Sequence, residues 1–165
     1  MRLAQFLEEQ HAQFETVLHP PAFTAQKRAR FLHVPGRQVI KCVLLGGGTG
    51  FILAILRAID YVDLDILGKS LGTAIRLANE DDLADRFADC ERGAVTPFGS
   101  LYGLWTLLED NIHSEDLILF EAQQHSMAIR MKCRDFEMLE KPTRCRFARQ
   151  VSPSGMSRHD QARGQ

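Results

Sequence analysis

VIKCVLLGGGTGFILAILRA, residues Val39 to Ala58, sets two apolar, partly β-branched runs on either side of a glycine cluster. Such runs, broken by residues that tolerate a tight reversal, predict a β-hairpin with strands over 38–45 and 51–57. The glycines also suggest a phosphate cradle. That reading fails, because no Lys-Ser/Thr pair completes the loop and no helical pattern follows it. Lys41 is the one charge inside the first run. Alternation turns Ile40 and Cys42 away from it, so Lys41 faces either solvent on an edge strand or a pocket.

Upstream, Leu3, Phe6, Leu7 and Phe14 recur at near-helical spacing and predict an amphipathic helix over 2–13. A short strand, FETVLH, follows and stops at His19-Pro20-Pro21, where proline lacks the amide donor a ladder needs. Thr24 is placed to cap a helix over 25–33, which Val34-Pro35-Gly36 ends. Downstream come a short helix over 63–71, a short strand or extended link over 74–77, and a helix opened by Asn79. Asp82 stands three residues on, and Glu80 and Asp81 meet the positive end of the helix dipole. GAVTPFGS (93–100) reads as an ordered loop, with strands at 103–108, 117–122 and 126–131. A helix over 134–139 and an edge strand over 145–149 complete the pattern. Interspersed short helices without regular β-α alternation give an α+β fold, not a doubly wound sheet. Residues 1–150 form the expected domain, and the polar stretch 151–165 is expected to be a disordered tail.

The chain has 165 residues, 45% hydrophobic and 25% charged, enough for one core. Its longest apolar run, near 51–56, falls far short of the roughly 20 residues that cross a bilayer. MRLAQFLEEQ carries Glu8 and Glu9 where a signal peptide is apolar, so a cytoplasmic protein without a membrane partner is expected. Cys42, Cys90, Cys133 and Cys145 form no C-x-x-C pair, which argues against a zinc site and a disulfide framework. A net charge of −1 makes no global case for nucleic acid. The charges are nevertheless segregated: +4 over 1–59, −10 over 60–121 and +5 over 122–165. Such polarity is either ordinary solvated surface or a face able to hold a phosphate backbone.

Five stretches, taken in order, carry a resemblance: HPPAFTAQ (19–26), HVPGRQVIKCVLL (33–45), LANEDDLADRFADCERGAVTPFG (77–99), LYGL (101–104) and FEAQQHSMAIRM (120–131). A lysine in a strand, then Gly93-x-x-x-Pro97-Phe98-Gly99, then a histidine in a late strand resembles the YbaK/prolyl-tRNA-synthetase-associated family of aminoacyl-tRNA deacylases. The resemblance spans roughly residues 15–142. It implies a mixed, barrel-like curved sheet with helices around it, and one pocket for an aminoacyl group and the terminal adenosine of a tRNA. It also implies hydrolysis of the ester between them, in trans, without metal or organic cofactor. The substrates it implies are tRNAs, tRNA-Pro among them, mischarged with a small amino acid, and a synthetase is a further partner. Correction of such errors is needed because a pocket separates side chains differing by one methylene by only about 1–3 kcal/mol.

The resemblance assigns Lys41, Gly93, Pro97, Gly99 and His125 to catalysis. Read from the residues alone, the glycine bend is a tight turn or a frame that brings backbone amides to an oxyanion. His125 is a surface histidine, or a group that orients substrate or relays a proton. Thr24, Phe98, Ser100 and Asp110 are the expected substrate contacts, although Thr24 also has its capping role. Lys27, Arg28, Arg30 and Arg37 are the expected tRNA contacts, or else a wet helix face. In one respect the chain departs from the family: Ala122-Gln123-Gln124 precedes His125 where many relatives have glycine and a small hydroxyl residue. That departure motivates a rival reading, a non-catalytic module binding aminoacyl-tRNA or a synthetase. The expected state is a monomer.

Overall fold

A computed structural model describes residues 2–48 and 50–150. The 39–58 stretch forms the hairpin that its composition predicts. Strand β2 (Ile40–Gly47) pairs antiparallel with β3 (Gly50–Arg57), in register from Ile40↔Arg57 to Gly47↔Gly50. The glycine cluster is the reversal of this hairpin. Around it the chain builds a mixed five-stranded sheet of order β5-β2-β3-β6-β9, with β5 at Ile75–Leu77, β6 at Trp105–Glu109 and β9 at Thr143–Cys145. The β3-β6 and β6-β9 pairs are parallel. A second sheet, β1-β8-β7, is antiparallel and consists of Glu15–Leu18, Met127–Lys132 and Leu117–Glu121.

A third pairing joins two short strands, β4 (Asp60–Val62) and β10 (Ala148–Gln150). The pattern over 145–149 predicts one edge strand. Instead the chain breaks there into β9 and β10, because Glu109 accepts the backbone amides of Phe147 and Ala148 at 2.8 and 2.6 Å and turns the segment. Short strands such as β4 carry too few alternating residues to announce themselves.

The fold is mixed α+β, but the described sheets do not close into a barrel. One isolated parallel bridge, Val39↔Leu119, ties the start of β2 to β7. Five α-helices lie around the sheets among the described residues: α1 (Arg2–Glu9), α2 (Ala25–Phe31), α3 (Leu64–Leu71), α4 (Glu80–Arg86) and α5 (Cys133–Glu140). Helix α1 is shorter than the predicted 2–13. His11, with φ of 53°, turns the chain out of the helix. Helix α4 opens with the capping box expected of Asn79 and Asp82.

Between the two larger sheets lies an aromatic core centred on Phe98, whose ring stands 5.7 Å from Phe6, 5.9 Å from Phe120 and 5.1 Å from Phe136. Leu3 and Leu7 of α1 pack into the same cluster. The other side of β2 and β3 packs Leu45, Ala54 and Leu56 against Leu67 of α3 and Phe147. Among the described residues no helix is long and apolar enough to cross a membrane.

Candidate functional site

Three connecting segments meet at His125. It sits in the turn between β7 and β8, and its carbonyl accepts the amide of Ala22 at 2.8 Å. The neighbouring Ser126 carbonyl accepts the amide of His19 at 3.0 Å, so the 19–24 loop is laced to this turn. The His125 ring is fixed on three sides. Nδ1 lies 2.8 Å from Glu121 Oε1, Nε2 lies 2.8 Å from the Arg92 carbonyl, and the Phe23 ring lies over it at 4.6 Å. The His125 amide donates to Glu91 Oε2 at 2.7 Å.

The third segment is the bend that begins at Gly93. Its φ of +84° is a conformation that glycine adopts at little cost, and a Cβ there would stand 3.9 Å from His125 Cε1. From Gly93 the chain runs inward, burying residues 94–99. Thr24 opens α2 beside Phe23 by accepting the Lys27 amide at 3.1 Å.

Glu121 and Arg28 lie beneath the histidine. Arg28 Nη2 donates to Glu121 Oε1 and, at 3.1 Å, to the Ala22 carbonyl. Both side chains are buried. Burial pushes the Glu121 carboxyl above the usual carboxylate range, against the pull of Arg28 and His125. His19, also buried, gives its Nδ1 to the Pro20 carbonyl at 2.8 Å, and burial lowers its pKa.

Lys41 pairs with Leu56 of β3 and is 9% exposed, so the alternative of a solvent-facing side chain does not hold. Its ammonium sits 4.6 Å from the centre of the Tyr61 ring. Burial pushes it below the ordinary lysine range, and the carboxylate of Asp60 draws it partway back. Arg28 and Lys41 are the two buried cations of Lys/Arg type among the described residues. Arg28 has Glu121; the Lys41 ammonium has neither ion pair nor hydrogen bond there. No contact joins Lys41 to His125. Lys41 and Glu121 each stand two residues beyond the Val39↔Leu119 bridge, but the charged group beside Lys41 is Asp60, whereas those beside Glu121 are Arg28 and His125.

Residues 19–139 match the family model of the aminoacyl-tRNA editing domain. The chain belongs to that family. No curated protein matches its sequence. Among solved structures, that of a hypothetical protein, APE2540, aligns with TM-score 0.81 at 10% identity, covering 90% of this chain and all of that one. A candidate trans-editing enzyme for prolyl tRNA synthetase aligns with TM-score 0.76 at 17% identity, covering 90% and 95%. At these identities the likeness is one of fold.

Within this editing domain, two residues read as contacts prove to be committed elsewhere. Arg28 is 3% exposed and paired with Glu121, so it is not free for phosphate; its position on α2 faces the protein while Lys27, Arg30 and Arg37 remain exposed. Phe98 is fully buried and belongs to the core, where it touches no substrate. The Ser100 hydroxyl donates to Glu140 Oε2 at 2.6 Å, and Asp110 lies at the end of β6, its amide on the Cys145 carbonyl at 3.1 Å. Pro97 is buried, and Gly99 is tightly enclosed: a Cβ would stand 2.6 Å from Thr106 Cγ2, 3.2 Å from Leu53 Cδ2 and 3.3 Å from Leu104 Cβ. Gly99→Ala is therefore expected to cost about 1–3 kcal/mol through overpacking, measurable as a lower urea midpoint.

Gln123 does not crowd His125. Its φ of +65° suits the glycine that many relatives carry, and its side chain turns inward. There it accepts the Leu3 amide at 3.0 Å and donates to Tyr102 Oη at 2.8 Å and Asp89 Oδ2 at 3.2 Å. It latches α1 to the turn that carries His125. Sequence reading missed Glu121, because an acidic residue ending a strand reads as a wet terminus until Arg28 is found beneath it.

Proposed function

We propose that this editing domain is a trans-acting deacylase that hydrolyses the ester of tRNA mischarged with a small amino acid, tRNA-Pro being one candidate carrier. The observation that carries this reading is Lys41, a residue only 9% exposed whose ammonium has no ion pair or hydrogen bond among the described residues. A largely desolvated cation without an ion pair is costly to keep, and such costs concentrate where a ligand supplies the missing partner. An ester carbonyl, a ribose oxygen or the terminal phosphate would do so. The Gly93–Gly99 bend adds backbone donors.

In the reaction a water attacks the ester carbonyl, and the oxyanion that forms is held by amides of the bend and by Lys41. The bond to the ribose oxygen then breaks. The water's proton ends on that oxygen, leaving a free amino acid and a tRNA with its terminal hydroxyl restored. Lys27, Arg30 and Arg37 are exposed and follow the Phe23 loop closely in the chain, and are the proposed phosphate contacts. Thr24, at the start of α2 next to Phe23, is the proposed wall of the aminoacyl pocket. A cytoplasmic setting fits this reaction.

The test is a panel of tRNAs charged with alanine, cysteine, serine or threonine, incubated with purified protein. Release of amino acid from at least one, with correctly charged tRNA untouched, supports the reading. Binding without release would mark the non-catalytic module instead.

A further inference from the structure

Arg28, Glu121, His125 and the Arg92 carbonyl form a chain of contacts from α2 to the glycine bend. Counting donors fixes the protons. A carbonyl oxygen only accepts, so the 2.8 Å contact between Nε2 and Arg92 requires a proton on Nε2. Glu121 Oε1 accepts from Arg28 and also faces Nδ1 at 2.8 Å, so a second proton lies between that oxygen and Nδ1. Neither ring nitrogen offers a free lone pair. In this arrangement His125 holds groups in place and does not draw a proton from water.

What it holds is the peptide unit between Arg92 and Gly93. That unit is planar and trans, so its C=O and N–H point in opposite directions. With the carbonyl tied to His125, the Gly93 N–H is turned away from the ring, and it has no partner among the described residues. An unpaired donor held in a fixed direction at the mouth of a glycine bend is the geometry an oxyanion site needs.

We infer that Glu121 and Arg28 are positioning residues of the editing site: they hold the His125 ring in place through Nδ1, and the Nε2–H bond of that ring to the Arg92 carbonyl aims the Gly93 amide at the substrate. The consequence for turnover rests on the deacylase reading. The ring state does not, so the two can fail separately.

The experiment uses the full chain labelled with ¹⁵N, in which long-range ¹H–¹⁵N correlations show which nitrogens of His125 carry protons. In the wild type Nε2 is expected to be protonated at neutral and mildly alkaline pH. Glu121→Leu removes the partner of Nδ1, so the ring should lose one of its tethers, and its nitrogen signals and the Gly93 amide should shift. Its kcat for deacylation should fall about 10-fold to 100-fold, the scale of a misplaced reacting geometry, with little change in KM. Glu121→Gln should restore much of this loss, since its amide can donate to Nδ1 and leave the proton on Nε2. An unprotonated Nε2 in the wild type overturns the inference, and that measurement needs no variant to fold. Glu121→Leu with wild-type ring signals and wild-type kcat overturns it too. Ring signals as expected, with no turnover in any protein, support the role of Glu121 and end the deacylase reading alone.

Discussion

Phe98→Ala is expected to lower the unfolding free energy by about 3–5 kcal/mol, as large-to-small changes at fully enclosed aromatic positions do. Phe98 has no exposed surface, and its ring meets Phe6 from α1, Phe120 from β7 and Phe136 from α5. Removing it opens a space that three elements from different parts of the chain cannot fill together. Against a typical total of about 5–15 kcal/mol, such a loss is a large fraction of the whole. Urea titration checks it: the midpoint should fall with the slope unchanged. Phe98→Leu, which keeps most of the volume, should recover more than half. A loss in the alanine variant under about 1 kcal/mol would mean that the core is not organised around this ring.

The same residue shows where sequence reading succeeds and where it stops. The hairpin over β2 and β3 is legible because two long apolar runs flank glycines, and the α4 start is legible because Asn79 and Asp82 form a local pair. Each signal lies within a few residues. Phe98 sits in a motif that draws the eye to chemistry, yet its neighbours come from positions 6, 120 and 136, which no local pattern connects. Arg28 misleads for the same reason: three basic side chains on one short helix look like one charged face. Helical geometry turns Arg28 inward while Lys27 and Arg30 stay out, and only the fold supplies Glu121, 93 residues away, to receive it. Legible features are those whose partners are near in sequence. The chain of contacts through His125 draws on three separate segments and could be found only in three dimensions.

Lys41→Met should separate function from stability in opposite directions. Deacylation is expected to fall about 100-fold or more, the scale for losing a group that stabilises the developing oxyanion. Stability at neutral pH is expected to rise by about 1 kcal/mol, as when an apolar side chain of similar volume replaces a buried charge. The sign follows from the lowered folded-state pKa of Lys41, which burial depresses below that of a free lysine. Below that lowered value the ammonium is charged in both states, and the folded protein bears the whole cost of burying it. Between it and the unfolded value the folded state holds fewer protons, so wild-type stability gains with pH across this window. The advantage of the methionine variant should therefore shrink as pH rises through the same range. Paired urea titrations at neutral and alkaline pH read this directly, beside the release of amino acid from mischarged tRNA. A variant less stable than wild type and equally active would show Lys41 to be a packing residue, leaving the site without its cation.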